Sequence, residues 1–419
     1  MADAKRERRE EAQPWDPAAA VLGNGDLLAE ILLRLGSPAW LIRAALVRRR
    51  WLRVASAPAF LARFRARHPP RALGVVVHGV GIPPALLPAR HPPELAPAFA
   101  RAAATLGLLR EYDRFMHYCG GRVLLENRGC ADDVFMPLTS YHLVERRVRS
   151  LVRAAPDAAL PPLPSLRYFP DDFHIPHSRL FLLEDNHGGG ASCLYLVIWT
   201  NQVRVRASFS FLRSGLWGAE QSATTAYHYL IGDILLSGTK VYMMTTGGCI
   251  LVLDLMGRSF STVNLPDGVG CYPPADAALL HTSLKFSRAQ QQPGVYLVEA
   301  VGFQLRVWHC DGVRHWVLVS TIAVREACDH LGVKVWEPSD GYPYYGYDPP
   351  VLVAGVGDNA ELVVLELVAS GIFCCVDLAN GVVENILHDR WLYSGAPVYP
   401  IAMVWPPVFP VLDEASEEP

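Results

Sequence analysis

Residues 295–322, VYLVEAVGFQLRVWHCDGVRHWVLVSTI, hold three short runs rich in β-branched and aromatic residues, and turn residues separate the runs. These runs predict strands at Val295–Ala300, Gln304–His309 and Trp316–Thr321. Asp311-Gly312 lies between the last two runs, where an Asp-Gly pair is a strong signal for a tight hairpin. The stretch therefore predicts three consecutive antiparallel strands.

The same pattern continues along most of the chain from about Arg114 onward. A second hairpin signal, Asn380-Gly381, lies between two further apolar runs. Hairpins that follow one another without helices between them imply antiparallel sheets. The other predicted strands are Arg122–Glu126, Ser192–Thr200, Arg204–Phe211, Asp233–Leu236, Lys240–Thr245, Cys249–Leu255, Ser261–Asn264, Leu284–Phe286, Val351–Ala354, Glu361–Val368 and Gly371–Leu378.

A weak internal repeat suggests how the sheets are arranged. Residues 240–255, 295–308 and 361–378 each show an apolar strand, a turn and a second apolar strand. Repeats of roughly 40–60 residues built from short strands are typical of propeller blades. We therefore predict a mainly β protein with a small N-terminal α module and a β-propeller of about 6–8 blades. A pair of β-sandwiches is the alternative.

Residues 26–68, DLLAEILLRLGSPAWLIRAALVRRRWLRVASAPAFLARFRARH, depart from the β pattern. Apolar residues recur there with the period of a helix, and Gly36, Pro38 and Pro58 divide the stretch into three or four short helices. Helices this short cannot bury all their leucines against one another, and an exposed apolar remainder usually marks a surface for a partner. The first apolar stripe consists of Leu27, Leu28, Ile31, Leu32 and Leu35.

This segment resembles the F-box, whose pattern is roughly L-P-x-D-L-L-x-E-I-L-x-R-L-P, then V-C-[RK]-x-W-R-x-[LV], then proline and phenylalanine. The alanine- and arginine-rich style is similar to that of the large F-box families of grasses. Residues 305–322 in turn resemble the F-box-associated propeller domain of plants. The positions that match the F-box pattern are Asp26–Leu28, Glu30–Leu32, Arg34-Leu35, Val47, Arg49, Trp51, Arg53-Val54 and Pro58–Phe60.

The resemblance implies a three-helix module that binds a Skp-family adaptor and, through it, a cullin ubiquitin ligase. The sequence departs from the F-box pattern at three places in this segment. Gly23-Asn24 stand where the family has Leu-Pro, Gly36 stands where it has a second proline, and Arg48 stands where it has cysteine. The adaptor-binding contacts that the resemblance implies are Leu27, Leu28, Ile31, Leu32, Leu35, Leu46, Val47 and Trp51.

Composition limits the partners and the cellular compartments that are expected for this chain. A net charge of −3 argues against general nucleic-acid binding. The N-terminus lacks the apolar run of a signal peptide, and the longest apolar runs are far below the ~18 residues that span a bilayer, so no membrane partner is expected. Nine cysteines without a C-x-x-C motif predict reduced thiols in the cytoplasm or the nucleus. Cys374 and Cys375 share a strand, so one should face inward and the other outward.

Domain boundaries follow from composition. A short strand at Gly74–His78 lies in a stretch rich in proline and alanine, and it is a candidate member of the β domain. The predicted parts are disorder at 1–20, the F-box helical module at 21–68, a linker at 69–98, a β-propeller-like substrate-recognition domain at 99–410 and an acidic tail at 411–419.

Motifs for catalysis are largely missing from the sequence. His187–Gly190 resembles the oxyanion loop of esterases, but the chain lacks the G-x-S-x-G motif that would supply the nucleophile. Asp171, His174 and His177 are metal-ligand types, but Pro176 excludes a regular helix there, so a polar loop is favoured. We therefore predict no catalytic residue, no metal and no cofactor.

A loop rich in aromatic residues is a candidate for substrate binding. Aromatic loops are favoured at recognition surfaces, and a rigid, self-packed loop is the equal alternative. The candidate residues in SDGYPYYGYDPP are Tyr342, Tyr344, Tyr345 and Tyr347.

Three functions fit these observations. The first is a non-enzymatic substrate receptor of a Skp–cullin–F-box ubiquitin ligase, which recruits an unknown protein through its β domain. The second is an F-box-like scaffold or sequestering protein without ligase coupling, motivated by the three departures. The third is a propeller hydrolase or carbohydrate binder, which would need polar side chains converging at the propeller centre.

Overall fold

A computed structural model of the chain divides into two compact units, Met1–Pro70 with Val404–Pro419, and Arg71–Met403. Among the residues that it describes, no helix has both the length and the apolar character needed to cross a membrane. The described residues are 21–36, 38–68, 71–79, 82–88, 96–107, 113–119, 122–127, 138–142, 147–150, 177–183, 192–200, 203–213, 216–226, 231–245, 247–269, 283–289, 294–311, 315–329, 350–368, 370–378, 382–387 and 398–403.

The described part of the first unit contains four helices, α1 (Gly25–Leu33), α2 (Pro38–Ala45), α3 (Arg49–Ser56) and α4 (Pro58–Arg67). Proline at the first position of α2 and of α4 fits the fixed φ angle and the missing N–H of that residue. The helices bury one shared apolar core, which contains Leu28, Leu32, Leu33, Leu41, Ala45, Ala55, Phe60 and Phe64.

The second unit is built almost entirely of strands. Its described strands are β1 (Arg71–Gly79), β2 (Ile82–Pro88), β3 (Asp113–Cys119), β4 (Arg122–Asn127), β5 (Leu138–His142), β6 (Arg147–Ser150), β7 (His177–Leu182), β8 (Cys193–Thr200), β9 (Arg204–Arg213), β10 (Leu216–Trp217), β11 (Gln221–Ala226), β12 (Ile231–Ser237), β13 (Lys240–Thr245), β14 (Cys249–Asp254), β15 (Ser259–Asn264), β16 (Leu284–Arg288), β17 (Val295–Val301), β18 (Gln304–Cys310), β19 (Trp316–Ala323), β20 (Val351–Val356), β21 (Leu362–Leu367), β22 (Ile372–Asp377), β23 (Val382–Leu387) and β24 (Val398–Met403).

These strands form six antiparallel sheets, which we call blades 1 to 6. Blade 1 has the order β2-β1-β24, so the last strand of the unit pairs with the first. Blade 2 contains β3–β6, blade 3 contains β7–β11, blade 4 contains β12–β15, blade 5 contains β16–β19 and blade 6 contains β20–β23. Contacts of β3 with β7, β12 with β16, β16 with β20 and β20 with β24 place these strands innermost.

Neighbouring residues of one strand face opposite neighbouring blades, and this joins the blades into a closed ring. Met243 packs against blade 3, for example, whereas Met244 packs against blade 5. Six apolar cores lie between successive described blades. They contain Leu73 and Val123 (blades 1 and 2), Leu124 and Leu180 (2 and 3), Leu196 and Met243 (3 and 4), Met244 and Leu297 (4 and 5), Val298 and Leu365 (5 and 6), and Phe373 and Val75 (6 and 1).

Helices and turns complete the ring. Helix α5 (Ala96–Leu106) packs its alanines onto blade 1, and helix α6 (Val324–Asp329) follows β19. A single 3₁₀ turn at Asp358–Ala360 joins β20 to β21. Gly355 allows β20 to approach β24 closely, since a Cβ there would lie 2.2 Å from the carbonyl oxygen of Val398.

The predicted mainly β fold with a propeller is confirmed, and the described residues form six blades rather than a pair of sandwiches. Residues 69–98, predicted as a linker, contain β1 and β2, which pair with each other, and β1 also pairs with β24. The short strand predicted at Gly74–His78 lies within β1. The predicted exposure of one of the two adjacent cysteines is wrong. Cys374 is buried between blades 5 and 6, and Cys375 is buried between blades 6 and 1.

Candidate protein-binding sites

Most of the exposed apolar side chains in the described part of the helical unit lie on α1 and on the α2–α3 turn. Leu27 and Ile31 are 46% and 39% exposed, and Leu46 and Val47 are 79% and 62% exposed. The turn is held by two backbone hydrogen bonds, from the Leu46 N–H to Ile42 and from the Val47 N–H to Ala44. Several exposed apolar side chains on so small a unit indicate a surface for a partner.

The other four residues predicted to contact an adaptor do not belong to this exposed set. Leu28 and Leu32 are fully buried in the core of the unit, because the helical period turns them toward α3 and α4. Leu35 and Trp51 are partly buried and pack against the same core. The structure therefore separates the eight predicted contacts into exposed residues and residues that support the fold.

Trp40 on α2 was not among the predicted contacts. Its side chain is 54% exposed, and the Arg43 guanidinium lies 4.8 Å from the centre of its ring. Because Leu41 and Ala45 form the buried face of α2 at a spacing of four residues, Trp40 must point elsewhere. The spacing of Leu41 and Ala45 is visible in the sequence, and it could have identified Trp40 as an exposed residue of α2.

Exposed arginines lie close in sequence to the exposed apolar residues. No Asp or Glu occurs between Ile31 and Pro93. Glu30, just before this interval, forms an ion pair with Arg63, whose hydrogen bond and charge lower the pKa of the carboxyl. The exposed arginines beside the apolar residues are Arg34, Arg43, Arg48, Arg49, Arg50 and Arg53. Such a surface favours a partner with negative charge around an apolar contact.

The departures from the F-box pattern have local structural roles. The Asn24 side chain caps α1 by accepting hydrogen bonds from the N–H groups of Asp26 (2.9 Å) and Leu27 (3.3 Å). The Arg50 guanidinium donates to the carbonyl of Gly23. Arg48 has extended backbone angles at the start of α3 and is exposed. These contacts stabilise the unit without the leucine, proline and cysteine of the family pattern.

Polar groups near the innermost strands join blades 5 and 6. The Arg288 guanidinium donates two hydrogen bonds of 2.9 Å to the Asp358 carboxylate. The Ser287 hydroxyl donates to the carbonyl of Gly357 (2.6 Å) and accepts from the N–H of Ala360 (2.8 Å). These polar groups form hydrogen bonds with one another, and their contacts indicate a structural clamp between the two blades.

A histidine plays a similar part between blades 2 and 3. The Nδ1 atom of His117 accepts a hydrogen bond of 3.1 Å from the Leu182 N–H, which requires an unprotonated nitrogen. Burial, and secondarily the charge of Arg288, lower the pKa of His117 to about 3.

Within the described ranges, no group of three His, Cys, Asp or Glu side chains is arranged to hold a metal ion. The four predicted tyrosines at 342, 344, 345 and 347 lie outside the described residues.

These observations define the class of protein as a β-propeller that a small helical unit precedes in the sequence. A family model described as F-box protein AT5G49610-like, beta-propeller, matches residues 115–409. This match covers more than half of the chain, and the chain therefore belongs to that family of F-box-associated propellers.

Comparison with other proteins adds little to this assignment. A search of curated proteins found no match. Among solved structures, the β-propeller domain of Cps50 (Swd1) from Myceliophteria thermophila is 9% identical, with a TM-score of 0.34 over 67% of this chain and 86% of that one. A variant of the Synechocystis apocarotenoid oxygenase is 10% identical, with a TM-score of 0.32 over 65% of this chain and 59% of that one. These scores are too low to support a functional argument.

Proposed function

We propose that the protein is a non-catalytic substrate receptor of a Skp–cullin–F-box ubiquitin ligase, and that its propeller recruits a protein substrate. The family to which the chain belongs is named for F-box proteins, which supports this role. In the proposal, the helical unit binds a Skp-family adaptor and thereby a cullin ligase. The grass-type F-box character of residues 21–68 is part of the same proposal.

The exposed apolar residues of the helical unit are the observation that carries the proposal. Leu27, Ile31, Leu46 and Val47 leave a substantial apolar surface in water, although the unit has a complete core of its own. Exposed side chains of this kind gain no free energy of burial from the fold, and a partner that covers them gains it. We place Trp40 at the margin of the same surface, because it is exposed and lies on the helix that leads into Leu46.

Catalysis by this chain is not needed for the proposed role. A receptor that holds a substrate beside the ligase raises the effective concentration of substrate lysines near the conjugating enzyme. The propeller supplies a rigid frame, and its loops, including the one with the four tyrosines, are the proposed substrate contacts. We place the protein in the cytoplasm or the nucleus, in keeping with the six free cysteines among the described residues.

Co-expression with a plant Skp adaptor tests the proposal. Size-exclusion chromatography should show a one-to-one complex of adaptor and full-length chain. Leu46→Asp should abolish the complex without unfolding the chain, because this side chain is the most exposed of the four. Met256→Asp, which changes an exposed apolar residue of the propeller, is the matched control and should leave the complex intact.

A folded chain that remains alone in this experiment would favour the scaffold hypothesis. The departures from the F-box pattern motivate that alternative, and they can be reversed. A Cβ at Gly23 or Gly36 would meet no atom within 4 Å, so Gly23→Leu and Gly36→Pro create no steric clash at that atom. Combined with Arg48→Cys, these changes should create adaptor binding if the departures alone prevent it.

A further inference from the structure

The outermost strand of blade 5 has an unusual edge. Strand β19 pairs with β18, and no other described strand pairs with its second edge. An edge strand of this kind presents main-chain N–H and C=O groups that can pair with another chain. Proteins usually protect such edges with charged residues or proline, and β19, WVLVSTIA, contains neither.

The exposed side chains of β19 are mostly apolar. Val317, Leu318 and Val319 are 51%, 45% and 56% exposed, and the register between β18 and β19 shifts at Val319. The outer strands of the two preceding blades differ in this respect. Strand β11 is QSATTA and strand β15 is SFSTVN, so their exposed positions are mostly hydroxyl- and amide-bearing.

Both ends of β19 are fixed in position. At its start, the Trp316 indole N–H donates a hydrogen bond of 2.8 Å to the carbonyl of Asn264 in blade 4. At its end, the Val324 N–H donates to the carbonyl of Phe303 (2.8 Å), and Val324 and Cys328 are buried in the core between blades 5 and 6. An edge held in this way loses little conformational freedom on binding, which favours recognition.

We propose that the free edge of β19 binds an extended, uncharged and aliphatic segment of a protein partner, which pairs as an additional strand of blade 5. A partner strand opposite β19 would meet no charge between Trp316 and Ala323, so a charged residue there would find no ion-pair partner on β19. Main-chain hydrogen bonds would supply affinity, and the three exposed aliphatic side chains would select aliphatic residues.

The exposed area favours a peptide segment over a second copy of the chain. A stable interface between folded proteins buries about 1,200–2,000 Å² in total. Three half-exposed aliphatic side chains supply far less, whereas a single added strand gains its hydrogen bonds along its whole length. The proposal deepens the proposed function, since it names the class of substrate segment, and it rests on that function only in calling the segment a substrate.

A phage-displayed library of random twelve-residue peptides, selected on the full-length chain without an adaptor, tests the proposal. The enriched peptides should carry aliphatic residues at alternate positions. They should bind Val317→Lys/Val319→Lys at least about tenfold more weakly than the natural chain by fluorescence polarisation. Val203→Lys/Met256→Lys is the control, because it adds the same charges at exposed apolar positions elsewhere on the propeller.

Two results would overturn the proposal. One is the absence of enriched peptides, or enriched peptides that bind the double variant and the natural chain equally. The other is a concentration-dependent dimer in sedimentation equilibrium that the double variant abolishes, since a second copy would then be the occupant. Should the lysines unfold blade 5, Val317→Thr/Val319→Thr keeps the β-branched shape and should still weaken binding. The adaptor complex is measured separately, and the lysine variant should retain it.

Discussion

Truncation of Leu46 to alanine should weaken adaptor binding while leaving the fold intact. Full burial of a leucine side chain contributes about 1.5–3 kcal/mol. The Leu46 side chain is 79% exposed, so most of this contribution is available to a partner. Leu46→Ala should therefore cost about 1–2 kcal/mol of binding free energy, which is roughly a 5- to 30-fold rise in Kd.

Truncation of Leu32 on α1 to alanine should instead lower the stability of the helical unit. Leu32 is buried in the core of the helical unit, and removal of a buried leucine side chain costs about 2–5 kcal/mol of stability. Leu32→Ala should lower the melting temperature of the helical unit, and Leu46→Ala should leave it unchanged. The two Leu→Ala variants therefore distinguish a leucine that contacts the partner from a leucine that supports the core.

Isothermal titration calorimetry with a purified plant Skp adaptor, together with thermal melts followed by circular dichroism, would measure both quantities. The reasoning is refuted if Leu46→Ala binds the adaptor as tightly as the natural chain. It is equally refuted if the variant loses binding only because its helices melt earlier. Ile42, which is partly buried on α2, offers a truncation of intermediate exposure.

Three further predictions concern stability. Asn24→Ala should destabilise the helical unit by about 1 kcal/mol in thermal melts, and Asn24→Asp should restore the cap. Arg288→Ala should cost the propeller about 2–3 kcal/mol in urea unfolding because Asp358 is left partly buried and unpaired, whereas Arg63→Ala should change little. Burial raises the pKa of Glu361 to about 7, so the native state holds a proton that the unfolded chain releases near pH 4.5. The free energy of unfolding should therefore fall by up to about 3 kcal/mol between pH 4.5 and 7, and Glu361→Gln should remove that fall.

The sequence predicted all the strands of blades 4 and 5 because hairpin signals are local. Asp311-Gly312 and the strands on either side of it depend only on neighbouring residues. Pairing between distant parts of the chain leaves no such signal. The strand that ends at Gly79 pairs with β24, whose residues come more than 300 positions later. The sequence therefore indicated a short strand at Gly74–His78 inside a predicted linker, but not the sheet of blade 1.

Burial on both faces explains the error over the adjacent cysteines. In a two-layer protein, alternate residues of a strand face the core and the solvent. In a closed ring of blades, each inner strand contacts a neighbouring blade on either side, so Cys374 and Cys375 are both buried. Strand β14, CILVLD, shows the same continuous burial. A run of consecutive apolar residues was therefore evidence for the propeller and against an open sheet.

The departure from the F-box pattern at Gly23-Asn24 is better understood as an exchange of one stabilising contact for another. Asn24 replaces a proline and caps α1 with its side chain, and Arg50 binds the carbonyl of Gly23, which stands in the place of a leucine. The helical unit therefore keeps a complete core without the family residues. Since the fold does not depend on them, their loss can alter adaptor binding only through the exposed surface. The receptor and the scaffold hypotheses thus differ in one measurable property, the affinity of the face around Leu46 for an adaptor.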